Sequence, residues 1–219
     1  MQLSQLIDHT NLRPDSTSED IKVLCQEAIE HQFKAVCIPP FHVRDAVRWT
    51  DNHPVLVSTV IGFPMGYSAT PAKVEEIKRA IDEGAQELDV VINLSAVKSS
   101  QWNHVANDID SVTRAAHLKG KVIKLILETG LLTETELGKA CQICQNSEVD
   151  FVKTSTGFHG RGADIETVKL LRSLLPPSIK IKASGGIRSQ TDALELIKAG
   201  ADRLGTSAGI RIISEATPT

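Results

Sequence analysis

A chain of 219 residues with 41% hydrophobic and 23% charged side chains has material for one sizeable core and is short for two domains. Its net charge of -3 is spread along the sequence, which excludes an electrostatic footprint for nucleic acid or an anionic membrane. No run approaches the roughly 18 apolar residues of a membrane span, and the first residues lack the basic and apolar regions of a signal peptide, so the expected location is the cytoplasm.

In chain order, eight short β-rich runs alternate with amphipathic stretches. The runs are Gln5–His9, Lys34–Ile38, Val55–Ile61, Glu87–Ile92, Val122–Leu127, Phe151–Thr154, Lys180–Ala183 and Asp202–Thr206. Helix starts are written between them. Thr70 and Pro71 read as a cap residue followed by proline in the first turn. Thr133 with Glu136 is a capping box, and Ser189 with Asp192 is a looser acidic version. Gly84 and Gly200 fall where helices should end. Strand–helix alternation implies parallel strands with right-handed crossovers, and eight units predict a single-domain α/β fold, a (β/α)8 TIM barrel spanning 1–219. An open doubly wound sheet would want fewer strands and a phosphate loop after the first, which is absent.

Four cysteines suggest neither a disulfide framework nor a zinc site. Cys141 and Cys144 form a lone C-x-x-C inside the helix expected over Thr133 to Asn146. A redox pair needs an exposed helix start, so both read as small packed residues.

The carboxyl ends of barrel strands make the active face. There the second run carries Cys37, the fourth Asp89, the sixth Lys153 and the seventh Lys182, with Glu128 after the fifth. The rest of the barrel is expected to be Val, Ile and Leu. A strand lysine ordinarily snorkels to solvent. Lys153, however, is followed by Thr-Ser-Thr-Gly, which suggests a small polar pocket. Two ammonium groups roughly 6–7 Å apart at an effective dielectric near 20 repel by about 2.5 kcal/mol. That would lower one amine from about 10.4 to about 8.5, leaving a useful fraction neutral and nucleophilic toward carbonyl carbon. Lys180 shares the face of Lys182 and is the expected exposed partner, whereas Lys124 is a rival nucleophile. Two glycine-rich turns, at Gly185 and Gly186 and from Gly205 to Gly209, follow the last two strands. Such turns admit an anion close to the backbone, and these two loops form the usual phosphate site of this barrel.

The segments Leu6 to Thr10, Val36 to Ile38, Val60 to Gly66, Glu87 to Val91, Glu128 to Gly130, Lys153 to Phe158 and Lys182 to Arg188 resemble, in order and across nearly the whole chain, the deoxyribose-phosphate aldolase family. The resemblance implies a class I aldolase on a TIM barrel. It would cleave 2-deoxy-D-ribose 5-phosphate reversibly to acetaldehyde and D-glyceraldehyde 3-phosphate, with no cofactor and no metal. It assigns the Schiff base to Lys153, and proton handling through an ordered water to Asp89 and Lys182. Gly185, Gly186 and Ser207 would hold the phosphate, while Thr10, Cys37 and Thr156 line the sugar end. The expected partner is therefore a small phosphorylated sugar, and the chain is compatible with a homo-oligomer, dimer or tetramer.

Two departures stand out. After Phe158 the chain has His159 and Arg161 where the family loop is smaller and richer in glycine, so either residue could meet phosphate or solvent. The sequence ends at Thr219 without the longer tyrosine-terminated tail of some relatives, which leaves proton exchange at the enamine carbon to Asp89, Lys182 and water. Two other readings compete. A metal-dependent aldolase needs clustered ligands, but the seven histidines show no ligand spacing. A non-catalytic sugar-phosphate sensor would share the fold, because fold does not imply function.

Overall fold

The computed structural model describes residues 2–160 and 162–214. Eight parallel strands close into a barrel in sequence order: β1 (Ile7–Thr10), β2 (Ala35–Ile38), β3 (Leu56–Ile61), β4 (Glu87–Val91), β5 (Val122–Ile126), β6 (Phe151–Lys153), β7 (Lys180–Ser184) and β8 (Arg203–Thr206). The barrel closes where β8 pairs with β1, with Asp8 opposite Gly205. The first strand departs from the sequence expectation. Residues 3–6 form a 3-10 turn, and the strand runs later, from Ile7 to Thr10. The other seven agree to within a residue at each end.

Helices cover the outside: α1 (Ser18–Glu30), α2 (Val43–Trp49), α3 (Thr70–Asp82), α4 (Leu94–Lys98), α5 (Trp102–His117), α6 (Glu134–Asn146), α7 (Ile165–Leu174), α8 (Gln190–Lys198) and α9 (Gly209–Ser214). Each long helix turns one stripe inward. In α1 the buried stripe is Ile21, Leu24, Cys25 and Ala28; in α5 it includes Val105, Ile109, Val112 and Ala116. In α6 the stripe is Leu137, Ala140, Cys141 and Cys144. Both of those cysteines are free and buried, and burial pushes the Cys141 thiol up to about 12, so they pack rather than react.

The helix starts follow local chemistry. Thr133 accepts from the Glu136 N–H at 3.2 Å, and Glu136 accepts from the Thr133 N–H at 2.8 Å. Ser189 and Asp192 make the same reciprocal pair, so the looser acidic version is a complete capping box, and Thr17 with Asp20 adds a third. The expected cap at Thr70 is corrected. Thr70 is the first residue of α3 and Ala69 precedes it, while the Thr70 hydroxyl donates to Asp108 Oδ1 at 2.6 Å on α5.

Outward strand positions, among them Val36, Ile38, Val57, Ile61, Leu88, Val90, Ile123, Leu125, Val152, Ile181 and Leu204, join the helix stripes in one hydrophobic core. The core is therefore the layer between sheet and helices. Inside the barrel the expected Val, Ile and Leu filling gives way to charge. Asp8, Glu87, Asp89, Lys124, Lys153, Lys182 and Arg203 are all buried there. Alternation along each strand explains the division, since Glu87 and Asp89 share one face while Leu88 and Val90 take the other.

Candidate active site

Asp89 stands at the centre of the enclosed charges. Its Oδ2 accepts from Lys153 Nζ and from Lys182 Nζ, each at 2.8 Å. Its Oδ1 accepts from Lys124 Nζ at 2.7 Å and from the Ser58 hydroxyl at 3.2 Å. The ammonium groups of Lys153 and Lys182 share one oxygen, so they lie closer together than the sequence reading supposed. Beneath them Lys182 also donates to Asp8, and Lys124 pairs with Glu87 Oε2 at 2.6 Å. Arg203 Nη1 spans Asp8 Oδ1 at 2.6 Å and Glu87 Oε2 at 3.2 Å. Gly205 makes room for this packing, because a Cβ there would sit 3.0 Å from Lys182 Cε.

These contacts decide the protonation states. Burial alone would push the Asp89 carboxyl up, but the ammonium groups of Lys124, Lys153 and Lys182 hold it well below the usual range. Asp8 is lowered in the same way, against its burial, by Lys182, Arg203 and Lys124. Burial opposes charge on Lys182 and Lys124, yet Asp8 and Asp89 raise the first, and Asp89 and Glu87 raise the second, above the ordinary lysine value. Both are thus held as ammonium. Lys124 is fully enclosed, so the rival nucleophile is a locked structural cation. Lys180, by contrast, is exposed with its Nζ 5.6 Å from the centre of the Phe151 ring, as its place on the strand suggested.

Lys153 is the member of this cluster that borders open space. It forms part of the floor of a pocket of about 690 Å³ at the carboxyl ends of the strands. Thr10, Thr156, Gly185, Gly186 and Ser207 line the same pocket, so six of the nine expected site residues meet there. Asp89 lies one hydrogen bond from Lys153, and Lys182 is reached through the same Asp89 oxygen. Cys37 is placed differently from expectation. It is fully buried on β2 with its Sγ 3.9 Å from Asp89 Oδ2, and it is not among the pocket's lining residues. Burial pushes its thiol up.

The loops after β6 and β7 are stitched together around the opening. Thr154 Oγ1 donates to Ser184 O at 3.1 Å, and Ser184 Oγ donates to Ser155 O at 2.6 Å. The two loops touch through backbone at Gly162 and Gly185, where a Cβ on Gly162 would meet Gly185 O at 2.1 Å. Thr154 and Ser155 therefore tie strands rather than face a ligand, and the polar pocket wall begins at Thr156. The Thr156 hydroxyl donates to Glu128 Oε2, which also accepts from the Thr156 N–H at 3.1 Å. Glu128 is wholly buried, with the left-handed backbone (φ 53°) that non-glycine residues rarely adopt. His159 is half-buried with Nε2 unbonded and lies off the pocket wall, and Arg161 falls outside the described residues.

Several participants carry no local sequence signal. Asp8, Glu87 and Arg203 form the lower charge layer, Arg13 and Arg188 bring cations to the pocket rim, and His9 bonds Glu27 at 2.7 Å in its wall. The signal that could have found the lower layer is alternation. Glu87 sits two residues before Asp89, and Arg203 two before Gly205, each on the inward face. Among the described residues no group of three or more His, Cys, Asp or Glu is disposed to hold a metal ion. No helix of the described chain is long and apolar enough to cross a membrane.

A lysine opening on a pocket at the carboxyl end of a closed (β/α)8 barrel, bonded to a buried carboxylate and backed by a second ammonium, is an arrangement suited to amine chemistry on a TIM-barrel enzyme. The chain belongs to the DeoC/LacD family of aldolases, whose model matches residues 3–213. It is 50% identical over 214 residues to a deoxyribose-phosphate aldolase of Desulfitobacterium hafniense, covering 98% of each chain. It is 48% identical over 217 residues to the deoxyribose-phosphate aldolase of Thermococcus kodakarensis, covering 98% of this chain and 97% of that one. The solved deoxyribose phosphate aldolase of Aeropyrum pernix, described as tetrameric, superposes with a TM-score of 0.91 at 35% identity. That alignment covers 96% of this chain and 89% of that one.

Proposed function

We propose that this chain is a class I aldolase that cleaves 2-deoxy-D-ribose 5-phosphate reversibly to D-glyceraldehyde 3-phosphate and acetaldehyde, with Lys153 as the Schiff-base lysine. The observation that carries the reading is the position of Lys153, at once hydrogen-bonded to Asp89 and bordering the pocket. The neutral amine adds to C1 of the open-chain aldehyde and water leaves, giving an iminium ion. A base takes the proton of the C3 hydroxyl as the C2–C3 bond breaks, and the bonding pair moves into C1–C2 as an enamine. Glyceraldehyde 3-phosphate departs, a proton returns to C2, and water releases acetaldehyde and the amine.

Asp89, held ionised, and Lys182, held protonated, stand 2.8 Å apart as a base and an acid for these transfers, reaching substrate through water. At the other end of the pocket Gly185, Gly186 and Ser207 offer backbone and hydroxyl donors to the phosphate, with the Arg188 and Arg13 cations at the rim. Thr10 and Thr156 meet the sugar. Cys37 acts from below by packing against Asp89. The chain works as one barrel domain in the cytoplasm and assembles as a homo-oligomer, a dimer or a tetramer. The tetrameric description of the Aeropyrum pernix relative supports the larger assembly, and sedimentation velocity decides it.

Coupled detection of acetaldehyde from deoxyribose 5-phosphate tests the function. The expected result is steady release that is unchanged by EDTA. Binding of the sugar phosphate without release, or activity abolished by the chelator, would contradict it.

A further inference from the structure

Among the described residues, seven ionisable groups form one ion-pair network inside the barrel, and within that network they do not balance. Asp8, Glu87 and Asp89 supply three carboxylates, whereas Lys124, Lys153, Lys182 and Arg203 supply four cations. Their connections are unequal. Lys124 lies within 4.0 Å of all three carboxylates, Lys182 within that distance of Asp8 and Asp89, and Arg203 of Asp8 and Glu87. Lys153 reaches Asp89 alone. Charge buried without a matching partner is costly, and loss of one proton is the simplest relief. The cation with a single carboxylate partner and an opening to solvent is the one placed to lose it.

We propose that Glu87 and Arg203 are positioning residues that set how readily Lys153 becomes a free amine, by fixing the charge balance of the sealed layer beneath it. This rests on Lys153 being the nucleophile. Arg203 comes from β8 and Glu87 from β4, and neither reaches the pocket. Arg203 occupies Asp8 and Glu87, so the surplus positive charge falls at the top of the cluster. Without Arg203 the layer would balance only with Lys153 protonated. Without the Glu87 charge the surplus would double, and Lys153 would shed its proton more easily.

Other groups face Lys153 as well. Asp8 on β1, the Cys37 thiol on β2, Asp89 on β4, Lys124 and then Glu128 at the end of β5, and Lys182 on β7 surround it. On the pocket side stand His9 with Glu27, and Arg13 and Arg188 at the rim. None of these changes in the Glu87 and Arg203 variants, so the sign of each of those shifts reports the substituted charge.

The test is the pH dependence of kcat/KM, and of borohydride capture of deoxyribose 5-phosphate on Lys153, in full-length variants with native far-UV circular dichroism. A buried unit charge roughly 8 Å away at an effective dielectric near 20 moves a midpoint by about 1.5 pH units. Glu87→Gln is expected to lower the acid-side midpoint by about 1.5 pH units and Arg203→Met to raise it by a similar amount. Arg203→Lys, which keeps the charge, should leave it in place, and the double variant should restore it. Loosened packing without a charge effect would move both single variants the same way, and that result, or unmoved midpoints, overturns the inference while capture at Lys153 stands. Should Arg203→Met not fold, the downward shift of Glu87→Gln decides; should Glu87→Gln not fold, Asp8→Asn takes its place with the same expected sign. Absence of any adduct on Lys153 in the unaltered protein would remove the Schiff-base reading and this inference together.

Discussion

A lysine side chain inside a barrel is tolerated only if its charge is answered, and the answers distinguish otherwise similar residues. Lys124 is bonded to Asp89, Glu87 and Ser58 and sees no solvent. Replacing it by methionine would leave buried carboxylates unanswered at a cost of about 3–5 kcal/mol in unfolding free energy, read by urea titration, while borohydride capture at Lys153 persists in the folded fraction. Glu128 makes a second such case. Its carboxylate holds both the Thr156 N–H and hydroxyl from a strained backbone position. Glu128→Ala should cost about 1–3 kcal/mol by orphaning those donors and, by releasing the Thr156 wall of the pocket, should raise KM more than it lowers kcat. An unchanged KM would count against a role in shaping the pocket. Glu128 was visible in the sequence only as a carboxylate after a strand, because its partner lies 28 residues on, beyond α6 and β6.

Elements were the most legible level, since their signals are local. The capping boxes at Thr133 and Ser189 lie within four residues of their partners, and both helices begin where those residues place them. Thr133→Ala should remove about 1 kcal/mol and lower Tm by about 2–4 °C in a thermal melt, with activity unchanged. Thr70 shows the limit of that reading. Its hydroxyl is claimed by Asp108, which also receives Lys73 at 2.8 Å, and such a tertiary demand has no mark in the residues around position 70. The first strand shifted for a similar reason. Gln5 and Leu6, read as the start of that strand, fall in the 3-10 turn over Leu3–Leu6, and Ile7 to Thr10 pair with β2 and β8 to close the barrel.

Across the whole molecule, Lys153, Lys182 and Asp89 could be read from strand ends. In the lower charge layer alternation marks single inward residues but not their pairing, because Asp8 and Arg203 lie 195 residues apart and meet only when the last strand joins the first. That layer also shapes stability against pH. Asp8 and Asp89 have folded values below the ordinary 3.8, so their contribution is complete above about pH 4 and is lost as pH falls through the acid range. Lys182 and Lys124 are raised above 10.5, so theirs is complete below about pH 10 and is lost at higher pH. Urea midpoints should therefore form a plateau between these limits and fall below pH 4; a midpoint unchanged at pH 3 would contradict a sealed ionic layer. The whole account turns on which amine captures the aldehyde. Borohydride reduction in the presence of deoxyribose 5-phosphate, followed by peptide mass spectrometry, answers that directly. The stable added mass is predicted on the peptide carrying Lys153 and is predicted to be absent from Lys153→Ala. The same mass on Lys124 or Lys182, or no adduct during turnover, would contradict it.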